Sequence, residues 1–394
     1  MKKKNIKKSR LAALLTHEKW GGIAVPLLAI VLAFITASVV LLVMGKNPIA
    51  AFVSFLRGSG FIPKLKYGGG QGILTDLFNT MNTLAPLTLA SMAFIIGFKA
   101  GLFNIGIAGQ MLLSGFMATV LVGYSGLPAA VAKPLVLVVG LVTGGIVGMV
   151  IGWMKYRFNI HEVVASVMIN YVISYATGFF INTYYANVLT RSMQICSDSA
   201  RLTLMNVNIG GMKCNIPLGL IVAILAALIV KFIFDKTVFG FELKAVGRNP
   251  VCAKYTGINV GRRFIFSMAF SGMLAGLAGV VYFLGTYNTI LPKTLPGMGY
   301  DAIAVAMLGN ASPIGSIFAG LLISIFQCGS NYMSSSVGVA KEISDLITGI
   351  LLMFSACGGY FRYVAQRRVD RERDEQRALE KAAAAATNEK EAEQ

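Results

Sequence analysis

Catalytic chemistry has little to work with in this sequence. Its 394 residues contain two histidines, His17 and His161, and only 13% of them are charged. His161 and Glu162 begin an H-E-x-x-H pattern, but Ala165 stands where the second histidine must be, so the zinc-protease reading fails. Neither a G-x-x-x-x-G-K-[ST] phosphate loop nor a G-x-S-x-G elbow occurs. The chain therefore lacks the usual ATP site and a serine nucleophile at a defensible spacing, and no metal or cofactor is expected. Its five cysteines, Cys196, Cys214, Cys252, Cys328 and Cys357, show no C-x-x-C spacing and read as small apolar fillers. Cys196 and Cys214 share one loop, which leaves pairing open to them.

What is abundant is apolar sequence. A hydrophobic content of 56% exceeds what a soluble core uses and marks a polytopic membrane protein. Uncharged runs near or above the 20 or so residues that cross a bilayer cover 22–44, 77–97, 111–132, 134–154, 163–189, 215–230, 264–292, 302–340 and 346–361. The first is too long for a cleaved signal and reads as a signal anchor. The run 302–340 is nearly two spans long and breaks at Gly309, Asn310 and Pro313, which gives about ten helices in an all-α fold. Three regions follow: a basic head at 1–21, a transmembrane domain at 22–361 and a charged, Ala-rich tail at 362–394 expected to be frayed helix or disorder.

The net charge of +18 is mostly topology. With the amino terminus inside, 25 of the 35 basic residues fall on the cytoplasmic side, as short loops rich in Lys and Arg require. Both termini are then cytoplasmic, and the loops 45–76 and 190–213 face outward. The head can also touch anionic lipid headgroups. No folded basic domain supports a nucleic-acid reading.

One cytoplasmic loop, 236–263, carries signals of its own. Asn249 is a preferred N-cap, Pro250 suits the first helical position, and Gly257 supplies a left-handed stop. Two turns of helix are marginal alone in water, so this piece is expected to rest against another surface. The ordinary alternative is a solvated loop obeying the positive-inside bias.

At membrane depth the polar residues are neutral: Asn79, Asn82, Thr88, Asn104, Gln110, Asn170, Tyr171, Ser174, Tyr175, Asn310 and Gln327. Such groups suit an uncharged polar solute, and Asn82, Asn104, Gln110, Asn170, Tyr171 and Asn310 are the candidates for its pathway; the competing role for each is a hydrogen bond between helices. The acidic residues Glu162, Asp301, Glu342 and Asp345 fall at predicted helix ends, which weakens an ion-coupled mechanism. Gly140, Gly144, Gly148 and Gly152 form one ridge of small residues, and Ser267, Ser271, Ala275 and Gly279 another; both read as packing surfaces.

Five segments carry a resemblance: NPIAAF at 47–52, GLFNIGIAGQ at 101–110, HEVVASVMINY at 161–171, the loop 236–263, and AIAVAMLGNASPIGSIFAG at 302–320. Over roughly 22–361 the chain resembles a permease subunit of an ATP-binding-cassette importer, in the branched-chain amino acid, ribose and nucleoside permease family. It looks closer to the nucleoside and simple-sugar branch. The resemblance implies a type II importer permease fold. It also implies a separate ATPase subunit, a second permease chain of different sequence, and an extracytoplasmic solute-binding receptor of the lipoprotein kind, in the cell membrane of a prokaryote. It makes 247–257 the coupling helix that seats in the ATPase, with Gly247, Arg248, Asn249, Pro250, Ala253, Tyr255 and Gly257 at the matching positions. Arg248 departs from a more common acidic residue and Cys252 from alanine. Ile107 and Ala108 replace a small residue followed by Glu. Two other readings stay open: the same fold carrying branched-chain amino acids or ribose, and a stand-alone ion-coupled carrier. A zwitterion would need countercharges or a free helix amino terminus at mid-depth.

Overall fold

Apolar runs in a bilayer must satisfy their backbone hydrogen bonds internally, and helices do so within one segment. The computed structural model describes residues 21–64, 72–187, 191–194, 198–287, 289–338, 346–347, 349–350, 353–354 and 357–392. In chain order the helices are α1 (Gly21–Val43), α2 (Pro48–Gly58), α3 (Ile73–Lys99), α4 (Ile107–Ala118), α5 (Ala129–Phe158), α6 (Glu162–Phe180), α7 (Leu218–Lys236), α8 (Val238–Arg248), α9 (Pro250–Tyr255), α10 (Val260–Val281), α11 (Met298–Leu308), α12 (Pro313–Val337) and α13 (Gly358–Ala392). Among the described residues six are long and apolar enough to cross a membrane: α3, α5, α6, α7, α10 and α12. Helices α4, α6 and α10 each continue into a π-helical turn, at Thr119–Gly123, Ile181–Tyr185 and Tyr282–Thr286.

The chain divides into two compact units, Met1–Met44 with Gly349–Gln394, and Gly45–Thr348. In the first, Ala365 of α13 is buried among Ala24, Leu28, Phe361 and Val369. The tail is thus helical from Gly358 to Ala392. Glu342 and Asp345, and parts of the expected span at 346–361, lie outside the described residues.

In the second unit α10 is central, and glycine decides how close its neighbours come. A Cβ on Gly144 would lie 2.7 Å from Gly276 Cα, and one on Gly148 would lie 3.0 Å from Gly272 Cα and inside contact with Met268 O. The ridge on α5 therefore meets α10 backbone to backbone, on the face bearing Gly272 and Gly276. The ridge of Ser271, Ala275 and Gly279 faces elsewhere: Ser271 Oγ donates to Ala93 O of α3 at 2.6 Å, and Gly279 abuts Met111 of α4. Small residues on two faces let α10 contact three helices at once.

Two sequence expectations change. The run 111–132 is not one span, because its helix ends at Gly123 and α5 starts at Ala129, with Gly126 at φ +66 in the turn between them. The fold is mostly helical but not all-α. In the loop 190–213 and beyond it, β2 (Thr203–Ile209) pairs antiparallel with β3 (Met212–Pro217) across Gly210 and Gly211, both at positive φ, the conformation a tight hairpin needs. A shorter pair joins β1 (Met193–Gln194) to β4 (Thr289–Ile290). Cys214 is a free, buried thiol in β3, while Cys196 lies outside the described residues. The break in the run 302–340 falls where expected, with Asn310 at φ 56 and Ala311 at φ 49 between α11 and α12.

Candidate functional site

Two regions carry the candidate residues, the loop between α7 and α10 and a buried amide network in the helical core. The loop holds two helices where the sequence suggested one. Asn249 has extended backbone, φ −156, so Gly247 and Arg248 close α8 and Pro250 opens α9. The Asn249 side chain accepts from Val251 N at 3.0 Å and Cys252 N at 3.1 Å, the bonds an N-cap makes. At the other end Gly257 has φ +85, Gly257 N donates to Lys254 O, and Ile258 N donates to Ala253 O.

Helix α8 was not anticipated, although its signal was present. Thr237 caps it by accepting from Gly240 N at 3.1 Å, and Leu243 and Val246 give it one buried face. It is clamped at both ends. Glu242 forms an ion pair with Arg263 at the start of α10, and Gly247 sits on the turn after α3, where a Cβ would lie 2.9 Å from Lys99 C and 3.0 Å from Ala100 C. Gly101, at φ +76, meets Gly247 from the other side. A groove of about 470 Å³ follows this contact, lined by Phe98, Lys99, Phe103, Lys244 and Arg248 among others.

On α9 only Ala253 is buried. Val251 is 63% and Tyr255 89% exposed, and on α8 Val238 and Phe241 are also exposed. Four large apolar side chains at the surface of a basic loop form a patch suited to a protein partner, with cations at its border.

The amide network lies deeper. Asn104, between α3 and α4, donates to Ser271 Oγ at 2.8 Å and to Gln110 Oε1 at 3.2 Å, and accepts from Gly106 N at 2.9 Å. Asn170 of α6 donates to Ile105 O and accepts from Gly109 N, each at 3.0 Å. These two side chains bind the non-helical segment 101–106 into the surrounding helices and satisfy backbone groups that water cannot reach. Replacing Asn170 by leucine should leave Gly109 N and Ile105 O without partners, a loss of about 2–4 kcal/mol for two buried groups. Thermal unfolding of the detergent-purified protein reads it; an unchanged midpoint would show that the network is dispensable.

The other expected pathway residues scatter. Asn82 donates to Asn215 O and accepts from Thr203 Oγ1, tying α3 to the hairpin end. Tyr171 is 56% exposed on α6, and Asn310 is exposed in the turn between α11 and α12. The acidic residues Glu162 and Asp301 sit in the first turns of α6 and α11, as expected. Asp301 is in the first turn of α11, yet its Oδ2 accepts from Gln327 Nε2 at 2.8 Å, part-way along α12.

Comparison with known proteins places this geometry. The family described as branched-chain amino acid transport system / permease component matches residues 77–356. The chain is similar to the nucleoside ABC transporter permease protein NupB of Lactococcus lactis subsp. cremoris (strain MG1363), 34% identical over 86% of this chain and 92% of that one. It is similar to the guanosine ABC transporter permease protein NupP of Bacillus subtilis (strain 168), 33% identical over 88% and 97%. The glucose ABC transporter permease protein TsgB13 of Haloferax volcanii is 26% identical over 88% and 90%. No solved structure matches the chain.

Proposed function

We propose, from the premise that the chain belongs to the branched-chain amino acid transport system permease family, that it is the translocation subunit of an ATP-driven importer for nucleosides or related neutral sugar-like solutes. The observation that carries this reading is the loop formed by α8 and α9, a doubly capped element with an exposed Val251 and Tyr255 patch resting on the turn after α3. NupB and NupP, both above 30% identity, are named for nucleoside and guanosine transport, which supports the cargo class. ATP is hydrolysed by a separate subunit, so this chain is not itself an enzyme.

Helices α8 and α9 seat in that ATPase, and Gly247, Arg248, Asn249, Pro250, Ala253, Tyr255 and Gly257 form the seat. Closure of the ATPase pulls on α9, and the Gly247 contact passes the displacement to the turn after α3 and so to the Asn104 network. Both termini are cytoplasmic, about ten helices cross the membrane, and the strand-bearing end faces a solute-binding receptor. A second permease chain completes the pathway.

Affinity purification of the tagged chain from its native membranes, with ATPase and uptake assays on nucleosides, pentoses and branched-chain amino acids, tests this directly. An ATPase should co-purify and be stimulated by receptor with a nucleoside. Asn249→Leu, which removes a cap worth about 1 kcal/mol, and Gly257→Val, which forces a β-branched residue to positive φ, should abolish uptake while the chain stays in the membrane. Uptake that survives both substitutions would show that this loop does not couple ATP to transport.

A further inference from the structure

Asp301 is a half-buried carboxylate bonded to a neutral side chain, Gln327. Its partner Gln327 lies 14 residues beyond Pro313 and 10 before Val337, about 21 Å and 15 Å along α12, so the pair is near the middle of a span. The position is not a surface that Asp301 happens to reach. Helix α11 starts inside the protein, against the first turn of α4, where a Cβ on Gly299 would lie 2.7 Å from Ala108 Cα. Helix α4 also starts inside, because Asn104, three residues before it, is bonded to Ser271, which is 11 residues or about 17 Å into α10. Two helices of 12 and 11 residues, α4 and α11, thus meet amino terminus to amino terminus within the membrane depth.

Ionised groups at that depth are costly and mark functional positions, and interrupted helices that start near mid-membrane are where transporters hold polar solutes. We propose that Asp301, held by Gln327, is a solute-recognition residue that accepts hydrogen bonds from a vicinal diol, the 2′,3′-hydroxyl pair of a nucleoside ribose. The assignment rests on the nucleoside reading above and deepens it.

The chemistry fits three ways. A carboxylate carries about four acceptor lone-pair sites on its two oxygens, whereas an amide offers one acceptor oxygen. Gln327 donates to one oxygen, which fixes the carboxylate plane, and its own amide oxygen remains an acceptor type. Tyr282, at the π-helical end of α10, feels the charge of Asp301, and its ring centroid lies 4.4 Å from that of Tyr287, with neither ring fully buried. They offer ring faces to the base.

The test uses the whole transporter, with ATPase, second permease and receptor, in proteoliposomes. Uptake of labelled guanosine and 2′,3′-dideoxyguanosine is measured at concentrations that saturate the receptor, so that receptor selectivity does not enter. Asp301→Asn should lower guanosine uptake at least about ten-fold, the loss expected from hydrogen bonds to a charged group, and leave dideoxyguanosine uptake within about two-fold. Thermal stability should not change. Equal losses for the two nucleosides, a lower melting temperature with both reduced, or unaltered guanosine uptake would each overturn the assignment. A native complex that imports neither would overturn the nucleoside reading and this assignment with it. Native import with unaltered preference in the variant overturns the assignment alone.

Discussion

Replacing Gly148 by leucine is expected to prevent accumulation of the folded protein. The Cβ of any residue there would lie 2.9 Å from Met268 C and 3.0 Å from Gly272 Cα, against backbone that cannot rotate away as a side chain can. The remaining atoms of leucine would force α5 and α10 apart. That separation also disturbs Gly144 against Gly276 and Gly140 against Val280, because the four glycines share one ridge. Overpacking a single core position costs about 1–3 kcal/mol. Here one substitution disturbs several contacts along the same ridge, so the loss should exceed that range. In lipid no hydrophobic force remains to hold two helices whose close packing is lost. Size-exclusion profile and melting temperature after extraction measure the effect. Gly123→Ala is the matched control, since a Cβ there meets only Thr119 at ordinary distances of 3.4 Å and more. If Gly148→Leu extracts and melts like the control, the α5–α10 contact is not the stabilising core described above.

Gly247→Val should leave the protein folded and uncouple it. The substitution lies at the end of α8, where its branched side chain would meet the carbonyl region of Lys99 and Ala100. Helix α8 can yield by tilting, because its outer face is exposed at Val238 and Phe241. Tilting breaks the close backbone contact between this loop and the turn that leads to Asn104. Under the proposed mechanism that contact transmits displacement between the ATPase seat and the interior, and coupling energies of this kind are about 1–3 kcal/mol. Solute uptake should fall at least about ten-fold while the ATPase still co-purifies, since Val251 and Tyr255 are untouched. Retained uptake would mean that displacement reaches the interior by another route.

Much of this arrangement was legible in the chain. Uncharged runs marked most helices because lipid tolerates few alternatives to them. Asn249, Pro250 and Gly257 marked α9, since capping depends on residues within a few positions of one another. Gly309, Asn310 and Pro313 marked the break before α12 for the same reason. Helix α8 carried a local signal in its cap at Thr237 and its apolar residues at helical spacing. So did the hairpin, whose Met205, Val207 and Ile209 alternate with Asn206 and Asn208 before Gly210 and Gly211. Both signals were passed over because each segment reads as loop. The pathway candidates show a harder limit. Asn104 and Asn170 were rightly singled out as buried amides, but a sequence does not say whether an amide faces a solute or a carbonyl. Asp301 was assigned to a helix end, and that was true, yet the end lies inside.

The sequence by itself determined that the chain is a polytopic membrane protein resembling a permease, where the run 302–340 breaks, and where α9 is capped. These are properties of composition and of short-range geometry, which survive in a string of residues. Only the tertiary structure decided that α5 meets α10 through Gly272 and Gly276, that Gly247 rests on Lys99 and Ala100, and that Asp301 reaches Gln327. Each joins residues from 26 to 148 positions apart. Such contacts follow from how whole helices pack and where they start in depth, and no local periodicity encodes either.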